Sequence, residues 1–494
     1  MNWLFRLAFF CFTLCFLSCG ILKKKNSSTK DINSNLLTTI GDREITVNDF
    51  IKRCEYVPRP NFCKNNNYIH KKIALNSLIA EKLLAIEFDK TNIEFTPAQN
   101  NLINGRKEQS MRQMMLKING FDKVKPNSTQ VRVIAKQMKK TYDISFIIID
   151  DVQKKGVVSN NLKSLNAVKD NIDDAPSINF KKITFSENMP MAVKEILYFS
   201  EPKKNLLYGP ISINKTNFMF FEVIGWNTSV SVTDEQKKQA IVDAKKSYNE
   251  LNALKIYEEF VSNLMRGKKL EFNPKSFQLF SHKVSKIYLI EKNKKETAIQ
   301  NSIWDQEVKN IKDVLSFDDL GDIRNRDLLS FDNEHYTVAD VLDLIKTHPL
   351  VFRNRKVSDR FFDNELKYAL ADLFRDKEIT ENAYKLDYHK SKDIINVEKK
   401  WADFISSKIM KNKLIGGSSS PSKDFNIMTK KIDSLQKHYS SIIKIDTDKF
   451  EKIKLTNIDL NVIYTNQAYT LFEPSFPILT DDHLLDYGEK FNFK

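Results

Sequence analysis

The sequence predicts an α+β fold in which two mainly helical modules are present and one small α+β domain is inserted in the first. Three observations predict it. Apolar residues recur three and four positions apart over long stretches, which is typical of amphipathic helices. Residues 142–226 instead carry β-rich apolar runs. A short pattern around Thr46 returns around Thr337, which indicates an internal repeat.

The beginning of the chain has the features of an export signal. Arg6 precedes an apolar run over 7–17, which is too short for a membrane span and typical of a signal peptide. We predict a signal peptide over 1–18. A small residue directly before Cys19 resembles the bacterial lipoprotein signal, in which that cysteine becomes lipidated, and the polar residues 19–36 then form a tether. Ordinary secretion and an uncleaved anchor remain alternatives.

Two further cysteines, Cys54 and Cys63, lie on either side of a segment rich in Pro and Asn. Export places them in an oxidising compartment, where a disulfide over such a short loop is compatible with the spacing. Two free buried thiols are the other interpretation, and the sequence leaves both open.

Composition excludes several classes of function. The 78 Lys and Arg against 63 Asp and Glu give a net charge of +15, which favours acidic or membrane-surface partners. Export and the lack of an aromatic-basic motif argue against nucleic acid. The glycine motifs that bind nucleotide phosphates, G-x-G-x-x-G and G-x-x-x-x-G-K-[ST], do not occur, so we expect no nucleotide. Only seven His are present, without C-x-x-C or H-E-x-x-H, so we expect no metal and no cofactor.

The first helical domain is predicted over 37–140. Residues 40–50 indicate a strand, a turn at Gly41, a second strand and a helix whose N-cap is Thr46, with Asp49 as a weaker capping-box partner. Apolar residues spaced three and four apart then predict an amphipathic helix over 70–90.

A further helix after Pro97 carries three methionines on one face, namely Met111, Met114 and Met115. Flexible thioethers suit a surface that binds varied peptides. They suit an ordinary core equally well, so both interpretations stay open.

The small α+β domain is predicted over 141–228. Its predicted elements are a strand over 142–149, short helices over 180–185 and 191–199, and strands over 209–213 and 218–224. Alternation along the last strand puts Phe218 and Phe220 on one face and Phe221 on the other. These aromatic residues are predicted partly as core and partly as the lining of a cleft.

A capping box at Thr233 opens a long helix that ends near Gly267. Residues 229–320 are predicted to contain this return helix and a strand, which together complete the first module.

A second helical module is predicted over 321–494. Residues 333–341 parallel 42–50, residues 363–388 echo 70–93, and residues 443–450 echo 270–277. A Gly- and Ser-rich stretch near 416–422 is predicted to be a flexible linker within this module.

In the order of its parts the chain resembles the SurA/PrsA/PpiD group of exported peptidyl-prolyl isomerase chaperones. Residues 40–50 resemble the opening of the helical chaperone domain, 142–149 the first strand of the inserted parvulin domain, and 209–223 its last two strands. The resemblance covers roughly 37–280, with a looser echo in 320–460. It implies two SurA-like helical modules, the first with a parvulin-like domain inserted.

The chain departs from this family at the residues that imply catalysis. Active parvulins carry a His in the first strand and another in the last, whereas this chain has Phe146 and Met219 at those positions. The glycine-rich loop before the middle helix is missing. No catalytic residue is therefore assigned, and isomerase activity is doubtful. The resemblance implies instead an apolar peptide-binding site, for which we select Phe146, Phe218 and Phe220 with the three methionines.

These observations predict a lipid-anchored folding chaperone that faces the periplasm and holds unfolded exported or outer-membrane proteins. Its partners are unfolded polypeptides and, through the N-terminal lipid, a membrane, with the outer membrane favoured over the inner. Two alternatives are a catalytically active peptidyl-prolyl isomerase and a structural envelope lipoprotein with one dedicated partner.

Overall fold

The computed structural model describes most of the chain after its first 34 residues. The described ranges are 35–125, 127–172, 175–187, 189–213, 217–230, 233–288, 320–353, 361–415, 421–455 and 472–491. The predicted signal peptide, Cys19 and nearly all of the predicted tether therefore lie outside the described residues. So do residues 416–420 of the predicted linker, whereas Pro421 already begins a helix.

The strands and helices are numbered here in chain order. The first are β1 (Leu36–Ile40), β2 (Arg43–Thr46), α1 (Val47–Glu55), α2 (Tyr68–Asp89) and α3 (Pro97–Asn119). The next are α4 (Ser128–Gln137), β3 (Lys140–Asp150), α5 (Asp151–Ser159), α6 (Leu165–Asp170), β4 (Asn179–Ile183), α7 (Met191–Tyr198), β5 (Leu207–Ser212), β6 (Asn217–Thr228) and α8 (Asp234–Leu264). The remaining elements are β7 (Leu270–Phe272), α9 (Pro274–Tyr288), β8 (Asp327–Phe331), β9 (Glu334–Thr337), α10 (Val338–Thr347), α11 (Phe362–Lys385), α12 (Lys392–Ile415), α13 (Pro421–His438), β10 (Ile443–Ile445), α14 (Thr447–Lys452) and β11 (Glu489–Lys490).

The fold is mixed α+β, as predicted, and the chain divides into two compact units. The first unit contains the described residues up to Met111, those from Lys269 to Phe374 and those from Tyr384 onward. The second contains Arg112–Lys268 and Arg375–Ala383. Both predicted helical modules contribute to the first unit. The four strands of the small predicted domain and the long helix α8 lie in the second.

The predicted helix starts are confirmed by their hydrogen bonds. The Thr46 hydroxyl accepts from the backbone N–H of Asp49 at 3.0 Å, and the Asp49 carboxylate accepts in return from the N–H of Thr46 at 3.4 Å. Thr337 and Asp340 form the same reciprocal pair at the start of α10. A third capping box opens α8 at Thr233. Each box satisfies N–H groups that the first helical turn leaves without partners.

The strands that complete the two hairpins are exchanged relative to the predicted modules. The first hairpin, β1–β2, pairs with β10, with Ile40 opposite Ile443. The second hairpin, β8–β9, pairs with β7, with Leu270 opposite Phe331. Strand β7, which was expected to complete the first module, therefore completes the hairpin of the second module. Strand β10, from the second module, completes the hairpin of the first.

Helix α2 forms the centre of the first unit. It is buried on almost all sides, which is why its sequence is apolar around most of its circumference and not along one stripe. It packs against α12 and α13, and the residues of the resulting core come from both predicted modules. Its fully buried apolar side chains include Leu75, Ile79, Leu83 and Leu84.

Charged residues are also buried beside α2. Arg53 is 2% exposed and donates two hydrogen bonds to the carboxylate of Glu81, at 3.1 and 2.7 Å, and Glu81 is fully buried. Asp403 accepts from Lys82 at 3.0 Å and from Arg43 at 2.9 Å. Buried charges are tolerated when they are paired in this way, because an unpaired ion loses its hydration without compensation.

Asp49 gives the fold a pH-dependent contribution. Burial alone raises the pKa of its carboxyl, but Lys400 at 3.4 Å and the Thr46 hydroxyl outweigh burial and hold that pKa below its ordinary value. A depressed pKa stabilises the fold above the unfolded value of about 3.9, and this stabilisation is lost as the pH falls through the lower folded value. We expect Asp49→Asn to lower the free energy of unfolding by about 1 to 2 kcal/mol at neutral pH.

Urea unfolding of the parent and of Asp49→Asn, followed at several pH values, measures this contribution. The difference between the two proteins is expected to shrink as the pH falls below about 3.9. A difference that stays constant into strong acid would show that the Asp49 charge is not responsible.

The second unit contains a four-stranded antiparallel sheet in the order β4-β3-β6-β5. The predicted strands over 142–149, 209–213 and 218–224 and the helix over 191–199 are confirmed. The helix predicted over 180–185 is wrong, because residues 179–183 form β4. Pairing with β3, in which Ile183 lies opposite Tyr142, decides the conformation of this short segment.

None of the helices in the described part of the chain combines the length and the apolar run that crossing a bilayer requires.

Candidate functional site

The register of β3 and β6 brings two of the predicted site positions together. Phe146 lies opposite Phe221, and Ile148 lies opposite Met219. Side chains two positions apart on a strand point to the same face of a sheet. Phe146 and Met219 are therefore diagonal neighbours on one face, at the separation from which large side chains can touch.

We call this surface the α7 face, defined by Phe146, Ile148, Met219 and Phe221, because α7 packs on the same side of the sheet. Phe221 is fully buried there with Tyr208, whose ring stacks on it at 5.2 Å. Phe146 is half-buried, and Ile148 is 39% exposed. The face therefore runs from a packed core to an apolar edge in contact with water. Sequence reasoning missed Ile148, although its even spacing from Phe146 was a usable signal.

Polar groups border this face on the edge strand β4 and on α7. Asn179 lies opposite Phe146 at the edge strand β4. Lys181 follows on the same side of β4 and pairs with Glu187 at 3.1 Å. The Lys194 ammonium lies 4.1 Å from the centre of the Phe185 ring, and burial lowers the pKa of this lysine. These contacts hold the lysines at the margin of the apolar surface.

Two buried tyrosines join the sheet to α4 and α7 and are not available as acids. The Tyr142 hydroxyl donates to Gln137 Oε1 at 2.6 Å, and the Tyr198 hydroxyl donates to the carbonyl of Ile183 at 2.8 Å. Burial raises the pKa of both phenols well above the ordinary value. Both hydroxyls therefore stay protonated near neutral pH and serve as structural donors.

The second unit contains neither His nor Cys. Imidazole is the side chain that ordinarily titrates near neutral pH, and it is the commonest general acid or base. The α7 face offers contact area for an apolar segment.

No family model matches this chain, and no curated protein or solved structure matches it. The functional interpretation therefore depends on the chemistry of the chain's own residues.

The other two aromatic residues predicted for the site lie on the opposite face of the sheet. Phe220 is opposite Ile147, is 2% exposed, and packs with residues of α5 and α6. Phe218 packs against the same core, with the Lys154 ammonium 3.6 Å from its ring centre. The predicted cleft of Phe146, Phe218 and Phe220 is therefore not assembled. In this register the even positions of β3 share a face with the odd positions of β6. Phe146 is therefore on the face of Phe221 and Met219, and not on that of Phe218 and Phe220.

The predicted methionine surface is not an exposed surface. Met111 and Met115 are fully buried, and Met114 is half-buried. The core interpretation therefore applies to Met111 and Met115.

Cys54 and Cys63 are free and buried, so the disulfide alternative is not formed in this structure. Burial raises the pKa of Cys54 to about 12 and that of Cys63 to about 11. A thiol reacts as its thiolate, so such values make both side chains poor nucleophiles. They belong to the apolar core around α2.

A shallow groove of about 700 Å³ lies on β9 and α10 in the first unit. Its lining is acidic, but the carboxylates have local roles: Asp340 caps α10 and Asp343 pairs with Lys346 at 2.8 Å. Across the described ranges, no group of His, Cys, Asp and Glu side chains is arranged to hold a metal ion.

Proposed function

We propose that this protein is a periplasm-facing holdase that binds unfolded exported or outer-membrane polypeptides through apolar surfaces, of the SurA-like type that the sequence resembles. The observation that carries the proposal is the α7 face. It presents a half-exposed apolar edge, formed by Phe146 and Ile148, in a unit that contains neither His nor Cys.

The arrangement of the small domain supports a degenerate parvulin. Phe146 and Met219, the positions where the family places its two His residues, are diagonal neighbours on one face of adjacent strands. Twisting an X-Pro amide has a barrier of about 18–20 kcal/mol, and lowering it needs donors placed for the transition state. An aromatic ring and a thioether offer contact but no such donor. Binding is therefore proposed to survive without isomerisation.

The proposed mode of binding needs no nucleotide, metal or other cofactor. Clients are held as extended apolar segments, weakly and with little sequence preference. Lipidation of Cys19 anchors the protein to a membrane of the cell envelope, the outer membrane in preference to the inner.

Two assays on the chain without residues 1–18, run side by side, test the function. We expect clear suppression of the aggregation of an unfolded outer-membrane protein, together with X-Pro isomerisation at the uncatalysed rate. Isomerisation well above background favours the enzyme alternative. If the protein neither suppresses aggregation nor accelerates isomerisation, the alternative of a structural lipoprotein with one dedicated envelope partner is favoured. A pull-down then identifies that partner as one stoichiometric protein.

Ile148→Ser tests the α7 face directly. The side chain is 39% exposed, so the substitution removes contact area for the client with little cost to the core. Losing part of the burial of one Ile side chain is expected to weaken client binding about fivefold. The control is Val158→Ser, which removes a branched side chain that is 55% exposed on α5, the helix that packs on the opposite face of the sheet. Equal effects of the two substitutions on aggregation suppression would remove the α7 face from the proposal.

A further inference from the structure

An extended segment of the first unit lies along α2 in a way that resembles a bound peptide. We call residues 472–487 the strap. It contains no helix or strand, and among the described residues it makes no backbone-to-backbone hydrogen bond. It is instead held by side chains of the elements beneath it.

Several of those side chains are directed at the strap's backbone carbonyls, while Lys400 and Gln436 bind the side chains of Glu473 and Tyr487 at its two ends. Asn76 Nδ2 donates to the carbonyls of Asp482 and Leu484, at 2.8 and 2.9 Å. The Ser77 hydroxyl donates to the carbonyl of Thr480 at 3.3 Å. Asn76 and Ser77 are fully buried, although both stand on the apolar helix α2. Buried polar groups of this kind are retained where they find a partner, and here the partner is the strap.

Two basic side chains continue the same pattern. Arg53 donates to the carbonyl of Ser475 at 2.9 Å while it also binds Glu81. Lys411 donates to the carbonyl of Ile478 at 3.0 Å. Every polypeptide has such carbonyls, so this recognition does not depend on the sequence of the occupant.

Some side chains of the strap enter the groove, and others face water. Phe476 and Leu479 are 5% and 3% exposed and enter the core around α2. Ile478 and Leu484 are 43% and 49% exposed and point outward. This combination of backbone recognition and pockets for some side chains is a recurring mode of extended-peptide binding.

We propose that this groove is a peptide-binding site whose resting occupant is the strap. An extended apolar segment of an unfolded polypeptide displaces residues 475–484 and takes over their carbonyl contacts and the pockets of Phe476 and Leu479. This inference rests on the proposed function, because it identifies a client site for the holdase. It places that site in the first unit, apart from the α7 face.

Because the strap belongs to the same chain, it competes with any external peptide for the groove and lowers the apparent affinity for that peptide. An intramolecular segment competes at an effective concentration in the millimolar range, so only the small fraction of molecules with an open groove accepts a peptide. The apparent dissociation constant equals the intrinsic one divided by that fraction. Weakening the strap therefore strengthens the binding of an external peptide.

The experiment titrates the soluble chain with a fluorescent synthetic peptide of the sequence of residues 472–487. Phe476→Ala empties one pocket of the strap and is expected to tighten binding of this peptide about tenfold. Ile478→Ala removes a side chain of comparable type that points outward, and is expected to stay within about twofold of the parent. A polar Ser- and Gly-rich peptide of equal length is the negative probe.

A second substitution distinguishes the groove from general loosening. Placed in the peptide as well as in the chain, Phe476→Ala removes the side chain that refills the emptied pocket and is expected to weaken peptide binding to the Phe476→Ala chain about tenfold. Thermal unfolding is followed for every variant. If Phe476→Ala remains folded and binds no tighter, or if it unfolds the first unit, the strap is a permanent part of the core and the inference is overturned.

The outcomes for this inference and for the proposed function are separate. If the parent suppresses aggregation while Phe476→Ala leaves peptide affinity unchanged, the holdase stands and the strap inference fails. If the peptide binds as expected while the parent suppresses no aggregation, the groove stands and the holdase fails.

Discussion

Glu81→Gln is expected to lower the free energy of unfolding by about 3 to 5 kcal/mol, because it leaves the charge of Arg53 buried without its partner. The carboxylate of Glu81 is fully buried and accepts two hydrogen bonds from the guanidinium, at 3.1 and 2.7 Å. Arg53 also holds the carbonyl of Ser475, so loss of its alignment loosens the strap as well. Total stabilities of proteins are about 5–15 kcal/mol, so the effect is a large part of the whole.

Glu87→Gln is the matched control on the same helix. Its side chain is 26% exposed, pairs with Lys90 at 3.1 Å and accepts from the Tyr439 hydroxyl, a bond that the amide oxygen of Gln can also accept. Exposed ion pairs contribute about 0–1 kcal/mol, so this variant is expected to remain close to the parent. Urea unfolding followed by circular dichroism compares the two. Similar losses from both substitutions would contradict a special role for the buried pair.

Local signals predicted several helix starts of this protein. A capping box depends on residues three positions apart, so Thr46 with Asp49 and Thr337 with Asp340 could be recognised without knowledge of the fold. The helix over 70–90 was also predicted from core residues that recur at helical spacing, but as an amphipathic helix, whereas α2 is buried on almost all sides.

Strand pairing could not be predicted in the same way. Leu270–Phe272 and Ile443–Ile445 have the same apolar-charged-apolar pattern, and each is followed by a helix. Either strand therefore suits either hairpin, and the distant packing around α2 decides between them. The segment Asn179–Ile183 is a related case, because four of its five side chains are exposed and only pairing with β3 makes it a strand.

The site residues remain a prediction. The register brings Phe146 and Met219 onto one face of adjacent strands, a proximity that the sequence alone did not give. Grouping Phe146 with Phe218 and Phe220 failed, because nothing in the sequence fixes the register between two strands about 70 positions apart. The strap had no periodic signal at all, since its contacts use carbonyls, which every residue carries.

When the chain is produced as two separate fragments, divided between residues 320 and 321, the first unit is expected to fold only after the two fragments are mixed. In the predicted modules, residues 35–320 complete their own hairpin and fold alone. In the structure, β1 pairs with β10, and α2 packs on α12 and α13, all from the second fragment. Separation exposes a set of large buried side chains: Met410, Met428, Ile432, Leu435, Ile443, Ile445 and Phe450. Their burial stabilises by on the order of 10 kcal/mol, which is comparable to the stability of a whole domain.

Circular dichroism and thermal unfolding of each fragment, and of an equimolar mixture, test this expectation. The fragment 35–320 alone is expected to lack the cooperative thermal unfolding transition of the first unit. The mixture is expected to regain this transition as a one-to-one complex. The same cut made by an inserted protease site in the folded chain serves as the control, since its fragments should remain associated. If residues 35–320 unfold alone at the temperature of the intact chain, the exchanged strand pairing is wrong and the hairpin of β1 and β2 is completed within its own module.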